Sequence, residues 1–139
     1  MASRFTRFNK TRDFNIDTNF FEKGTYLTAQ DIYEDDIEKY GAAQAHLLVG
    51  VWKHDIPEDN RVQGLPGYSY TLGIKIENCG ENGDKTMYYY VNCPAFMISD
   101  FDEILADKSL VRLINEGKCS VCAYQYVSRA EERFAFEFC

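Results

Sequence analysis

Between residues 67 and 92 apolar and polar side chains alternate with a period of two. Tyr68, Tyr70, Leu72, Ile74 and Ile76 share one parity, and Ser69, Thr71, Gly73, Lys75 and Glu77 the other, which means one buried and one solvated face. Residues 78–85 follow with turn chemistry: Gly80, Gly83 and the triplet Asn82-Gly83-Asp84. Alternation then resumes over 86–92, with Met87, Tyr89 and Val91 on one side and Tyr88, Tyr90 and Asn92 on the other. The stretch predicts a long β-hairpin. Both faces of its second strand carry tyrosine, so one face must expose rings or have them covered.

The same period marks three further strands. Over 43–53, Ala43, Ala45, Leu47, Val49 and Val51 make the natural core face, which turns His46 and Trp52 outward. Over 118–127, Cys119, Val121, Ala123, Gln125 and Val127 oppose Ser120, Cys122, Tyr124 and Tyr126. After a polar turn at 129–132, Phe134, Phe136 and Phe138 alternate into the core. The 55–66 stretch, broken by Pro57, Asn60, Gly64 and Pro66, predicts a long loop.

Two segments read as helical. Thr28 caps 28–41 with Asp31 completing a capping box, Ile32, Tyr33, Ile37 and Tyr40 form the stripe, and Gly41 stops it. A second starts at Ser99, with Asp102 at the capping-box position, and stops at Gly117. The polar 107–109 patch between its two apolar clusters predicts a break into two short helices. Residues 1–25 hold neither period and predict an irregular basic and aromatic arm. The expected organisation is an arm over 1–25 and a single domain over 26–139. Its class is α+β: mainly β, with one or two helices besides 28–41.

A chain of 139 residues suits one core. No apolar run is long enough to span a bilayer, and the first residues lack a secretory signal's apolar stretch. The expectation is a cytosolic, unprocessed protein whose five cysteines are free thiols. The net charge of −7 argues against a surface that embraces nucleic acid as a whole. The charge is uneven: Arg4, Arg7, Lys10 and Arg12 against Asp13 give residues 1–14 a net +3, so the remainder holds −10.

Catalytic signatures are missing. No phosphate-cradling glycine loop and no GxSxG elbow occur. His46 and His54 lie too far apart along an extended face to chelate one metal. Cys119 and Cys122 have CxxC spacing, but inside an alternating strand their thiols diverge, and no helix N-terminus activates them. The expectation is a protein that is not an enzyme and uses neither metal nor cofactor.

Two surfaces remain. Trp52, Tyr88, Tyr90, Tyr124 and Tyr126, with Lys75 among them, would form a stacking platform for unpaired bases, extended by Arg4, Arg7, Lys10 and Arg12. The alternative is that the arm, the acidic helix or a second subunit of a homo-oligomer covers these rings. Separately, Asp31, Glu34, Asp35, Asp36 and Glu38 crowd one helix. They form either a solvated face or a nucleic-acid mimic that docks on a basic partner protein, as a phage-type inhibitor or decoy would.

From residue 43 the order is strand, strand, strand, helix, strand, strand, and the helix leads into the fourth strand through Leu113-Ile114-Asn115-Glu116-Gly117-Lys118-Cys119. Over 43–139 this resembles the OB-fold single-stranded DNA-binding proteins. The resemblance implies a five-stranded Greek-key barrel. It also implies single-stranded DNA or RNA bound across the second and third strands and the loops 55–66 and 128–132. For that, Lys53, Lys75, Arg129 and Arg133 should gather with the arm's basic residues on one side.

Overall fold

The computed structural model describes residues 13–139. Arg4, Arg7, Lys10 and Arg12 lie outside them. The described residues are mainly β, with six strands and three α-helices: β1 Phe21–Leu27, α1 Ala29–Tyr40, β2 Ala45–Asp55, β3 Tyr68–Cys79, β4 Lys85–Asn92, α2 Ile98–Ala106, α3 Lys108–Asn115, β5 Ser120–Ser128 and β6 Glu131–Phe138. The strands form one sheet in the order β1-β4-β3-β2-β5-β6, curled into a half-barrel. β5 touches β2 only over Ala45–Leu47 and then diverges with β6.

The inner face of the curl is the core. Tyr70, Leu72, Ile74 and Ile76 of β3 are buried, with Leu48 and Val51 of β2, Val91 of β4, Val121 and Ala123 of β5, and Phe136 of β6. The parity expected for β3 therefore holds from Tyr70 to Ile76, after which a register shift turns Cys79 into the core. α1 lays Ala29 and Ile32 on this face, and α2 adds Ile98 and Phe101. Phe101 is fully buried, with Tyr70 and Phe138 each 6.0 Å away between ring centres. Burying such a side chain contributes about 1.5–3 kcal/mol.

Several local expectations meet their physical cause. Asp31 N–H donates to Thr28 Oγ1 at 3.1 Å while Thr28 N–H donates to Asp31 Oδ2 at 2.9 Å, closing the capping box of α1. Gly41 ends that helix at φ 75°. The second helical segment does break in two: Asp107 is non-helical, and its carboxylate caps α3 through Ser109 N–H at 2.9 Å.

Four expectations are corrected. First, the irregular arm becomes a strand from Phe21, paired in parallel with β4 (Phe21 opposite Tyr88, Tyr26 opposite Tyr90), so the sheet has six strands. Second, β2 changes parity. Leu48 pairs with Ile74 and Gly50 with Gly73, which leaves Val49 as the extra residue of a bulge. Before the bulge His46 and Leu48 face inward; after it Val51 does. His46 is thus buried rather than outward. Third, α1 turns Ile37 and Tyr40 to solvent, and the stripe continues instead through Asp36, which is 2 % exposed. His46 Nε2 donates to both Asp36 oxygens, at 2.9 and 3.0 Å, and Gln44 N–H donates to Oδ2 at 3.2 Å. Fourth, Asp102 caps nothing: it accepts hydrogen bonds from the hydroxyls of Tyr68 and Tyr70, tying α2 to β3. A 3₁₀ turn at Ala95–Met97 leads into α2 in place of a Ser99 cap.

Candidate functional site

The outer face of β2, β3 and β4 is built as cross-strand rows. Leu47, Lys75 and Tyr88 form one row, Gly50, Gly73 and Tyr90 the next, and Trp52, Thr71 and Asn92 the third. The middle row has two glycines side by side, and the Trp52 ring folds into the trough they leave. A Cβ at Gly50 would stand 2.6 Å from Trp52 Cη2. One at Gly73 would stand 2.8 Å from both Trp52 Cζ3 and Phe21 Cζ. Both glycines are therefore required by close ring approach.

The entering chain then closes over this trough. Phe21 is 3 % exposed and stacks on Tyr90 with ring centres 4.5 Å apart and planes at 23°. Its edge meets Trp52 at 5.7 Å, and Phe14, also buried, meets Trp52 edge-on at 6.1 Å. Such pairs contribute about 0.5–1.5 kcal/mol each beyond area burial. Asn115, the last residue of α3, fixes the approach. Its Nδ2 donates to Asp13 O and its Oδ1 accepts from Asn15 N–H, both at 2.8 Å.

Beyond that seal the aromatic face opens. Tyr26 is 56 % exposed and stacks on Tyr90 at 5.6 Å; Phe20 is 62 % exposed and stacks on Tyr88 at 6.1 Å. Tyr26, Trp52, His54, Thr71 and Asn92 line a shallow recess of about 480 Å³. Its floor carries hydrogen-bonding groups: Thr71 Oγ1 and His54 Nδ1 are 3.2 Å apart. Flat rings beside an amide, a hydroxyl and an imidazole can stack on a planar heterocycle and bond to its edge.

The expected platform residues do not all meet. Trp52, Tyr88, Tyr90 and Lys75 share this face, with Lys75 Nζ 3.7 Å from Glu77. Tyr124 and Tyr126 instead pair with each other at 5.8 Å and with Phe96, which meets Tyr126 at 6.0 Å, beside a separate groove against α2 and α3. The basic residues scatter too. Lys53 lies on the opposite face of β2, 4.0 Å above the Tyr68 ring, and Arg133 pairs with Glu131 at 2.9 Å on β6. The loop after β2 and the Arg129-Ala130 turn between β5 and β6 lie beyond opposite ends of β2. Tyr26, Phe14 and Phe21 were not among the expected site residues. The available signal was the aromatic content of residues 1–26, which include Phe14, Phe20, Phe21 and Tyr26.

Asp36 leaves the acidic surface of α1, while Asp31, Glu34, Asp35 and Glu38 share one side of the helix. Asp36 is buried on His46, Asp31 is held in the capping box, and Asp35 pairs with Lys39 at 2.9 Å. Glu34 accepts from Gln30 at 2.9 Å. Burial pushes the Cys122 thiol up to about 12, aided by its hydrogen bond with Cys139, and raises that of Cys119. At neutral pH both therefore stay protonated and poorly nucleophilic. Among the described residues no cluster of three or more His, Cys, Asp or Glu could hold a metal ion, and no helix is long and apolar enough to cross a membrane.

No protein-family model, curated protein or solved structure matches the chain.

Proposed function

We propose that the chain is a non-catalytic, cytoplasmic protein that binds single-stranded DNA or RNA by stacking unpaired bases on the outer face of β1, β4, β3 and β2. The observation that carries this reading is the recess between Tyr26 and Trp52. An exposed ring and a half-buried one flank His54, Thr71 and Asn92, and none of the five is an obligate anion that would repel phosphate. The basic residues Arg4, Arg7, Lys10 and Arg12 precede Phe14 in the chain, and Phe14 packs edge-on against Trp52 of this face.

An OB-like plan fits this reading. β2, β3 and β4 follow one another, β5 returns beside β2, and a helical segment separates β4 from β5. That is the 4-1-2-3 order of a Greek key. The OB barrel is itself partly open, with its ligands on strands two and three, here β3 and β4. β1 is an addition to that plan, and it brings Tyr26 to the face.

The chain has one tryptophan, so fluorescence reports this face alone. Titration with an unlabelled single-stranded oligonucleotide should quench Trp52, and affinity should fall as salt rises. Unchanged emission at low salt and micromolar protein would remove the proposal.

A further inference from the structure

A second cavity, larger than the recess, belongs to no part of that face. Where β5 and β6 leave β2, a groove of about 620 Å³ opens against α2 and α3. Phe96, Ile104, Leu110, Leu113, Tyr124 and Phe138 give it an apolar floor. Four of these are large side chains left substantially in water: Phe96 is 54 % exposed, Phe138 44 %, Leu113 40 % and Leu110 37 %. The rim is acidic. Asp100, Glu103 and Glu137 line it, and its one cation, Lys118, stands 3.2 Å from Glu116. An apolar floor with an acidic rim fits a segment that alternates aromatic and basic residues.

The chain carries such a segment, and the first described residue after it is fastened to the end of the helix that walls the groove. Residues 1–12 hold Arg4, Phe5, Arg7, Phe8, Lys10 and Arg12, with no acidic residue among them. They join the domain at Asp13, whose carbonyl is bonded to Asn115. Asn115 ends α3, the helix whose Leu110 and Leu113 form the groove wall. From Asp13 back to Phe8 is five residues, a reach of roughly 17 Å at about 3.3 Å per residue. That exceeds the roughly 10–12 Å diameter of one helix with its side chains.

We infer that the groove between α2–α3 and β5–β6 is the docking site of the chain's own residues 4–12, with Phe5 and Phe8 on its apolar floor and the basic side chains on Asp100, Glu103 and Glu137. The inference rests on the groove and the anchor at Asn115, independently of the nucleic-acid reading. Docking would hold in reserve the basic side chains that reading uses.

The test is site-directed photo-cross-linking in the full chain, with p-benzoylphenylalanine in place of Phe8. The expected products are intramolecular links to the peptides covering 95–119 and 134–139. Their yield should fall about fivefold when Glu103 and Glu137 are both changed to lysine, since two surface ion pairs become two repulsions. Links confined to β1, β3 or β4, links only between chains, or no link would each overturn the inference. A second reading needs no cross-linker. In the full chain, Phe5→Ala with Phe8→Ala should shift the methyl resonances of Ile104, Leu110 and Leu113, and unshifted methyls would overturn it as well.

Discussion

Trp52, Tyr88 and Tyr90 on one side, and Tyr124 and Tyr126 on the other, look alike as sequence: rings on the polar parity of an alternating strand. In the fold they have opposite fates. The first set lies under Phe14 and Phe21, supplied by the chain that precedes α1. The second set borders a groove that no described residue fills. The difference comes from backbone, not from the rings. Gly50 and Gly73 adjoin on the first face and let an indole and a phenyl ring sit against the strands. The second face has no such trough, because β5 pairs with β2 over only three residues and then runs on beside β6 alone. An aromatic strand face is closed where neighbouring strands stay paired and small residues admit a cover.

The largest expected effect separates the two regions directly. Phe21→Ala removes the seal of the first face and should cost about 3–5 kcal/mol, read as a lowered denaturation midpoint at unchanged slope. It should also shift Trp52 emission to the red. Next is Gly73→Ala, whose new Cβ meets Phe21 and Trp52 at 2.8 Å. Overpacking of this kind should cost about 1–3 kcal/mol and disturb the same emission, while leaving the groove side unchanged.

The groove side has a polar fastening, and that makes its response depend on pH. Asp102 on α2 accepts from Tyr70 and Tyr68, and those bonds, Tyr70's first, hold its carboxyl below the usual range. A depressed folded-state value contributes stability above the unfolded carboxyl's pKa of about 3.9 and loses it as pH falls through the folded value. Asp102→Asn should therefore melt below the native protein at pH 7, and the gap should close in acid. Melting curves at pH 7 and below pH 4 check this; a gap independent of pH would show that the carboxylate charge is not the fastening.

How much of this was legible in the sequence follows the same divide. β3 read true because its inward residues keep one parity from Tyr70 to Ile76, before the shift that buries Cys79. α1's capping box and the break at Asp107 read true because each is set by neighbours in sequence. β2 misled because its bulge residue, Val49, is apolar and extends the apparent alternation across a change of face. β1 was invisible: Phe21–Leu27 is an edge strand with one buried residue, so it carries no period, and its pairing is parallel to a strand far along the chain. Asp36 misled for a third reason. Its charge suggested solvent, and only the contact with His46 on another element explains its burial. The recess depends on both hidden features, since β1 brings Tyr26 and the bulge turns Trp52 and His54 outward.

Oligonucleotide affinity in the alanine variants of the two tyrosine sites bears most directly on the central claim, that bases stack on the outer face rather than in the groove. Tyr26 and Tyr124 are matched probes, each a partly exposed ring beside a cavity. Tyr26→Ala should weaken binding by about 1–3 kcal/mol, the worth of one stacked base, and Tyr124→Ala should leave it unchanged. Equal losses, or a loss confined to Tyr124→Ala, would contradict the account.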